Sequence, residues 1–381
     1  MTRPRTGRGG GAGYRRIVAK FGTNLLTGGS DELDTKLMAS LAAQVVALLD
    51  EGRQVLVVTS GAIAAGRERL DAHQDRKDVP FRQVLAAVGQ THLMHTYDRL
   101  FAKHGRVVGQ TLLTRRDIAD RVGYLNARNT LLALLELGVV PIVNENDAVG
   151  VDEIAGAKIG DNDNLSALVA NLIDADMLAL LTDTGGLYTA DPRKQRDATL
   201  IDRVDRITKE IEQIAGESDT GRGTGGMVTK LQAAKLATGG GSDVYIAPGH
   251  ERDILTRIAR GEHVGTLMPA RTSRMESRKR WMLSGLATKG CIIVDAGAGR
   301  ALLEQKRSLL PAGIRDVQGP FKRGDAVSIC LPDSPPIACG ITNYSDEEVS
   351  AIRGLRSDRI AGALGYHYGS EVVHRNNLVV L

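Results

Sequence analysis

An α/β chain is predicted, with a three-layer α/β/α sandwich built on a mostly parallel sheet and a small β-rich domain after it. Three observations point there. The 381 residues exceed the size at which one hydrophobic core stops growing. Strand-like runs that are apolar throughout alternate with helical patterns, as in a parallel sheet covered on both faces. After Gly265 the texture changes to short β-like runs broken by Gly and Pro.

In chain order, residues 1–13 read as a disordered basic tail, 14–270 as the large domain, 271–285 as a linker, and 286–381 as the small domain with its C-terminal segment. Within the large domain, buried strands are predicted at Ile17 to Phe21, Gln54 to Thr59, Val139 to Val143, Met177 to Thr182 and Val244 to Ala247. Helices are predicted at Asp34 to Leu49, Val84 to Phe101 and Asn164 to Leu172, with a further acid-bearing helical stretch at Thr208 to Glu217. Arg271 to Arg280 holds five basic residues against Glu276, which suits an exposed connector. Beyond Trp281, strands are expected at Cys291 to Asp295, Ala326 to Leu331, Ile337 to Thr342 and Glu371 to Arg375. No tandem repeat of fixed period is visible.

The net charge of +4 is more than accounted for by Arg3, Arg5, Arg8, Arg15 and Arg16, in a stretch with no acid. The basicity therefore belongs to the tail and does not describe the folded body. The tail lacks the apolar segment of a secretory signal, and no apolar run approaches the ~18 residues needed to span a bilayer. Cys291, Cys330 and Cys339 are odd in number, far apart and without C-x-x-C spacing, which argues against a disulfide framework or a zinc site and suits a reducing cytoplasm.

Four predicted strands end in small or polar clusters: Lys20 to Asn24, Thr59 to Ala62, Asn144 to Asp147, and Thr182 to Gly186. Each alone is an ordinary turn. Together they would ring one end of the sheet with backbone amides, carboxylates and a lysine, where a parallel sheet binds its ligands. The run Gly221 to Lys230 contains G-x-G-x-x-G but follows a helical stretch, not a strand, so it fails as a dinucleotide fingerprint. It reads instead as a glycine loop feeding a helix from Met227 to the glycines at 239–241, with Lys230 in the first turn facing an anion. Asp161 to Asn164 opens another helix. It resembles the start of an EF-hand loop, but Leu165 and Ser166 occupy positions needing a ligand and a glycine. There is no P-loop and no H-E-x-x-H, and His92 and His95 read as helix-surface residues.

Taken in order, Lys20-Phe21-Gly22-Thr23, Thr59 to Gly66, Asn144-Glu145-Asn146-Asp147, Gly160 to Ala167 and Gly223 to Met227 resemble the motif series of the glutamate 5-kinase family, a branch of the amino acid kinases. The resemblance runs from about Tyr14 to the end, where the small domain is similar to a PUA domain. It implies the amino acid kinase fold. It implies that Lys20, Gly22, Thr182, Asp183 and the loop Thr224, Gly225, Gly226, Met227, Val228, Thr229 and Lys230 bind ATP. Ser60, Gly61, Asn144, Asp147 and Asn162 would hold L-glutamate. Lys20, Lys230 and Asp163 would be catalytic, with Asp163 orienting the two lysines. Mg²⁺ would ride on the phosphates, with no protein metal ligand assigned. Also implied are a homo-oligomer, hand-over of an acyl phosphate to glutamate-5-semialdehyde dehydrogenase, and RNA contact through the PUA-type domain. The segment Glu153 to Ile159 departs from the family pattern by its greater length.

Two alternatives stand beside that expectation. One is a kinase of the same fold acting on aspartate, carbamate or a nucleoside monophosphate. The other is an RNA-binding protein, although the small domain without its connector is nearly neutral and has no aromatic stacking series.

Overall fold

The computed structural model describes residues 13–30, 32–71, 78–150, 162–192, 194–217, 226–271 and 288–381. The expected tail apart from Gly13, the linker apart from Arg271, the long segment 153–159, Asp161, Thr224 and Gly225 lie outside the described residues. Two compact units result, Met1–Ile118 with Ala127–Ser273, and Ala119–Asn126 with Arg274–Leu381. The short piece Ala119–Asn126, expected in the large domain, groups with the second unit, where Asn126 accepts a 2.7 Å hydrogen bond from the Arg323 guanidinium.

The large unit runs β1 (Arg16–Phe21), α1 (Thr23–Thr27), α2 (Thr35–Asp50), β2 (Gln54–Thr59), α3 (Ala62–Leu70), α4 (Val79–Ala102), β3 (Val108–Leu113), α5 (Arg115–Ala119), α6 (Arg121–Glu136), β4 (Val140–Glu145), α7 (Asn162–Leu172), β5 (Met177–Thr182), α8 (Lys209–Glu217), α9 (Met227–Gly240), β6 (Asp243–Pro248), α10 (Ile254–Ala259) and β7 (Thr266–Met268). The sheet order is β3-β4-β2-β1-β5-β6-β7. All neighbours are parallel except β7, which pairs antiparallel with β6. This is the mostly parallel sheet that the unbroken apolar runs required.

Strand alternation decides which layer each residue serves. Ile17, Ala19 and Phe21 join Val55, Val57, Met177 and Ala179 in a core under α2, α4 and α10. Val18 and Lys20 point to the opposite face, where α7 packs on β1, β2 and β5. The helices start where capping chemistry allows: Asp34 accepts from the Lys36 and Leu37 amides at the head of α2, and Asp78 from the Phe81 amide at the head of α4. On α2 the apolar positions Met38, Leu41, Val45 and Leu48 recur every three or four residues and are all buried.

The second unit contains a five-stranded sheet in the order β12-β11-β10-β8-β9, formed by β8 (Gly290–Val294), β9 (Ile314–Gln318), β10 (Ala326–Cys330), β11 (Pro336–Ile341) and β12 (Leu378–Val380). Its core gathers Ile292, Val294, Val327, Ile329, Tyr344, Val349 and Ile352. Two sequence expectations need correction here. Glu371 to Arg375 is not a strand: Val372 and Val373 are fully buried as core side chains, and only Val373 makes a bridge, to Leu309. The edge is formed by Leu378–Val380 instead. The argument against a disulfide also fails, because β8 and β10 are parallel neighbours. They bring Cys291 and Cys330, 39 residues apart in sequence, into a disulfide with Cα atoms 6.7 Å apart. Cysteine spacing cannot register a contact made across a sheet.

Candidate active site

The carboxyl ends of β4, β2, β1 and β5 stand side by side in the sheet, so the four polar clusters become neighbours. β1 lies at the centre, with Lys20 paired in register with Val58 on one side and Leu180 on the other. Alternation turns the Lys20 side chain to the α7 face, where it is 3% exposed. A lone ammonium buried so deeply would cost several kcal/mol. Asp163, in the first turn of α7 and fully buried, supplies the counter-charge.

Asp163 serves two cations at once. Its Oδ1 is ion-paired with Lys20 Nζ, and its Oδ2 lies 3.2 Å from Lys230 Nζ on α9. The Thr229 hydroxyl donates to the same Oδ2 at 2.9 Å. The arrangement brings two ammoniums to one carboxylate in a nearly dry setting, where an arriving anion would find both cations close at hand. A Cβ built on Gly22 would stand 3.4 Å from Lys20 Nζ, so the ammonium lies over the first turn after β1. The start of α9 is uncapped by any side chain at Gly226, leaving that helix's first amides toward the same region.

On the other side of Lys20, Ser60 follows β2 and is held by its amide, which donates to the Phe21 carbonyl at 3.1 Å. Gly61 adopts φ 100°, a left-handed conformation that a side chain would strain, and this turn launches α3. Asn144 and Glu145 end β4, and the next turn closes through the Gly150 amide donating to the Asn146 carbonyl at 2.8 Å. That turn carries Asp147, buried at 7% exposure. Asn162 is 2% exposed, and its Oδ1 has no hydrogen-bond partner among the described residues. Thr182 is buried at the end of β5 and donates to the exposed Asp183 carboxylate at 3.0 Å. Met227 and Val228 are half-buried at the head of α9.

One element passed unnoticed in the sequence. On α4, Gln83 donates to the Ala148 carbonyl at 3.3 Å, Gln90 accepts from the Asn144 amide at 2.8 Å, and the Tyr97 hydroxyl shares a 2.7 Å hydrogen bond with Thr59. Burial drives the Tyr97 phenol far above its ordinary pKa, outweighing the opposing pull of Thr59, so it stays a neutral partner. The signal was present as polar groups at intervals of seven on an otherwise apolar helix face. His92 is half-buried 3.6 Å from Glu68, and His95 is exposed. Among the described residues no group of three or more His, Cys, Asp or Glu side chains could hold a metal ion.

Residues 15–248 match the amino acid kinase family, and residues 290–364 match the PUA domain. A glutamate 5-kinase of Dehalococcoides mccartyi strain CBDB1 is 54% identical over 368 residues, 97% of this chain and 99% of that protein. Glutamate 5-kinases of Herpetosiphon aurantiacus and Moorella thermoacetica are 51% and 49% identical, each over 96% of this chain and covering 98% and 96% of their own lengths. With the family match spanning more than half of the residues and these likenesses nearly end to end, the chain belongs to the amino acid kinase family, in its glutamate 5-kinase branch with a C-terminal PUA domain.

Proposed function

We propose that the protein transfers the γ-phosphoryl group of ATP to the side-chain carboxylate of L-glutamate, giving L-glutamyl 5-phosphate, the first step of proline biosynthesis. The observation that carries the chemistry is the buried Asp163 with an ammonium at each oxygen, Lys20 on β1 and Lys230 on α9. The near full-length likeness to glutamate 5-kinases supports the choice of acceptor.

The acceptor needs no general base. A glutamate side chain with an ordinary pKa of about 4.3 is already ionised near neutral pH. Its oxygen attacks the γ-phosphorus, the new O–P bond forms as the bond to the β–γ bridging oxygen breaks, and ADP departs with that electron pair. The protein's task is placement and stabilisation of charge. Lys20, Lys230 and the amides of Gly22, Gly225 and Gly226 offset the charge on the moving group, while Thr182, Asp183 and the segment Thr224 to Lys230 hold the nucleotide. Mg²⁺ enters as part of the MgATP substrate. Ser60, Gly61, Asn144, Asp147 and Asn162 hold glutamate, with Asp147 and the Asn162 Oδ1 receiving its α-ammonium. Acetylation would remove the ammonium's charge and deprive the buried Asn162 Oδ1 of its donor, at a cost of about 1–3 kcal/mol, so free glutamate is the preferred substrate.

An acyl phosphate is reactive, so we place a glutamate-5-semialdehyde dehydrogenase next in line, and the enzyme itself as a cytoplasmic homo-oligomer. No helix among the described residues is long and apolar enough to cross a membrane. The chemistry needs no RNA; contact through the PUA domain would be a second activity, read out by a salt-sensitive gel shift. The decisive assay follows ADP release with free and acetylated glutamate, aspartate, carbamate and nucleoside monophosphates, with hydroxylamine as trap. Turnover with glutamate and formation of a hydroxamate are expected. Preference for N-acetylglutamate or a nucleotide would overturn the assignment.

A further inference from the structure

We infer that Gln90, on α4, is a specificity-determining residue whose side-chain amide donates to the α-carboxylate of the amino-acid substrate. The inference rests on the glutamate kinase reading above and extends it to a residue outside the strand-end clusters.

Gln90 is held at the site by its surroundings. Its Oε1 accepts from Asn144 Nδ2 at 2.8 Å, and Asn144 Oδ1 in turn accepts from the Glu145 amide at 2.9 Å. The Asn144 side chain thereby fixes the end of β4 against α4. Two turns before and two after, α4 is fixed as well, by Gln83 on the Ala148 carbonyl and Tyr97 on Thr59. The backbone beneath is clamped: a Cβ at Gly89 would run into the Ala62 carbonyl and one at Gly66 into the Leu85 carbonyl, so α3 and α4 meet with nothing between them. These contacts tie α4 to the residue preceding Ser60 and to both sides of Asp147.

What remains is a donor. Gln90 Nε2 is buried and has no hydrogen-bond partner among the described residues. A buried N–H pair without an acceptor is disfavoured by about 1–3 kcal/mol, so it marks a place where an acceptor arrives. The acceptors of the neighbourhood, Asp147 and the Asn162 Oδ1, suit an ammonium. An amino acid with its ammonium there offers only carboxylates to Gln90, and the γ-carboxylate is directed to the lysines. The spacing agrees, because β4 is two strands from β1, about 10 Å at the usual inter-strand distance. That is the reach of an extended glutamate with a hydrogen bond at each end.

The test compares L-glutamate with L-isoglutamine, which keeps the α-ammonium and γ-carboxylate but carries an α-carboxamide. Wild-type enzyme should prefer glutamate in kcat/KM by about tenfold or more, as one charge-assisted hydrogen bond allows. Gln90→Glu keeps the acceptor for Asn144 but sets a carboxylate against the substrate's own. It should raise the KM for glutamate at least tenfold, leave the KM for ATP within about twofold, and abolish or invert the preference. Gln90→Ala should compress the preference. A purely structural role would lower both substrates equally, and that result overturns the inference, as does wild-type enzyme that uses both equally. Wild-type enzyme inactive on glutamate but active on another acceptor sinks the functional reading itself, a result the glutamate arm reveals before any variant is made.

Discussion

The two sheets of this protein bury polar groups in different ways. In the C-terminal unit, buried polar side chains serve the backbone around them: the Thr342 hydroxyl donates to the Tyr344 carbonyl, and Asn343 donates to the Glu371 carbonyl. These bonds hold turns, each to a backbone carbonyl of the same unit. In the large unit one set of buried polar groups is charged: Lys20 and Lys230, distant in sequence, converge on Asp163 together with the Thr229 hydroxyl. A network that concentrates like charges in a dry place works against stability, and its presence marks chemistry. The contrast sets the charged network of the large unit apart from the backbone-holding bonds of the C-terminal unit.

The comparison breaks first at Asp163. Asp163→Ala removes the carboxylate that Lys20 and Lys230 share. Loss of one member of a buried ion pair costs about 3–5 kcal/mol. Calorimetry should show the large unit's transition falling sharply while the C-terminal unit's transition stays in place; unchanged melting of both would mean the carboxylate holds nothing. Lys230→Ala comes next. It leaves a neutral Lys20–Asp163 pair, so the fold should persist while kcat falls by at least ~10², the usual effect of losing one donor to a transition-state anion. An ordinary turnover number would remove Lys230 from the chemistry. The smallest effect belongs to Ser345, which caps the helix Asp346–Ile352 in a reciprocal capping box with Glu348. Ser345→Ala should destabilise the C-terminal unit by about 1 kcal/mol and leave kcat untouched, and a matching loss of activity would show that the two units are not separable in this way.

Much of this was legible before any coordinates. β1, β2, β4, β5 and β6 announce themselves through unbroken apolar runs, and the glycine-bearing turns after them are local chemistry. Strand β3 escaped because Gly109 and Gln110 interrupt its pattern, and β7 because three residues carry no period. Convergence itself was not legible from composition or spacing: that Lys20 and Lys230 share one carboxylate depends on strand alternation and on where α7 and α9 start. The role of α4 was hidden because helix reading follows the apolar stripe, whereas its information lies in Gln83, Gln90 and Tyr97. The Cys291–Cys330 pair depends on strand neighbourhood alone.

In the proposed reaction, two ammonium groups flank the phosphoryl group in transit. A crystal structure of the enzyme with glutamate and a non-hydrolysable ATP analogue measures this directly. Lys20 Nζ and Lys230 Nζ should each lie within about 3 Å of oxygens on the terminal phosphate, the length of a charge-assisted hydrogen bond, while still paired with Asp163. Either ammonium turned away and bonded only to protein would contradict the account.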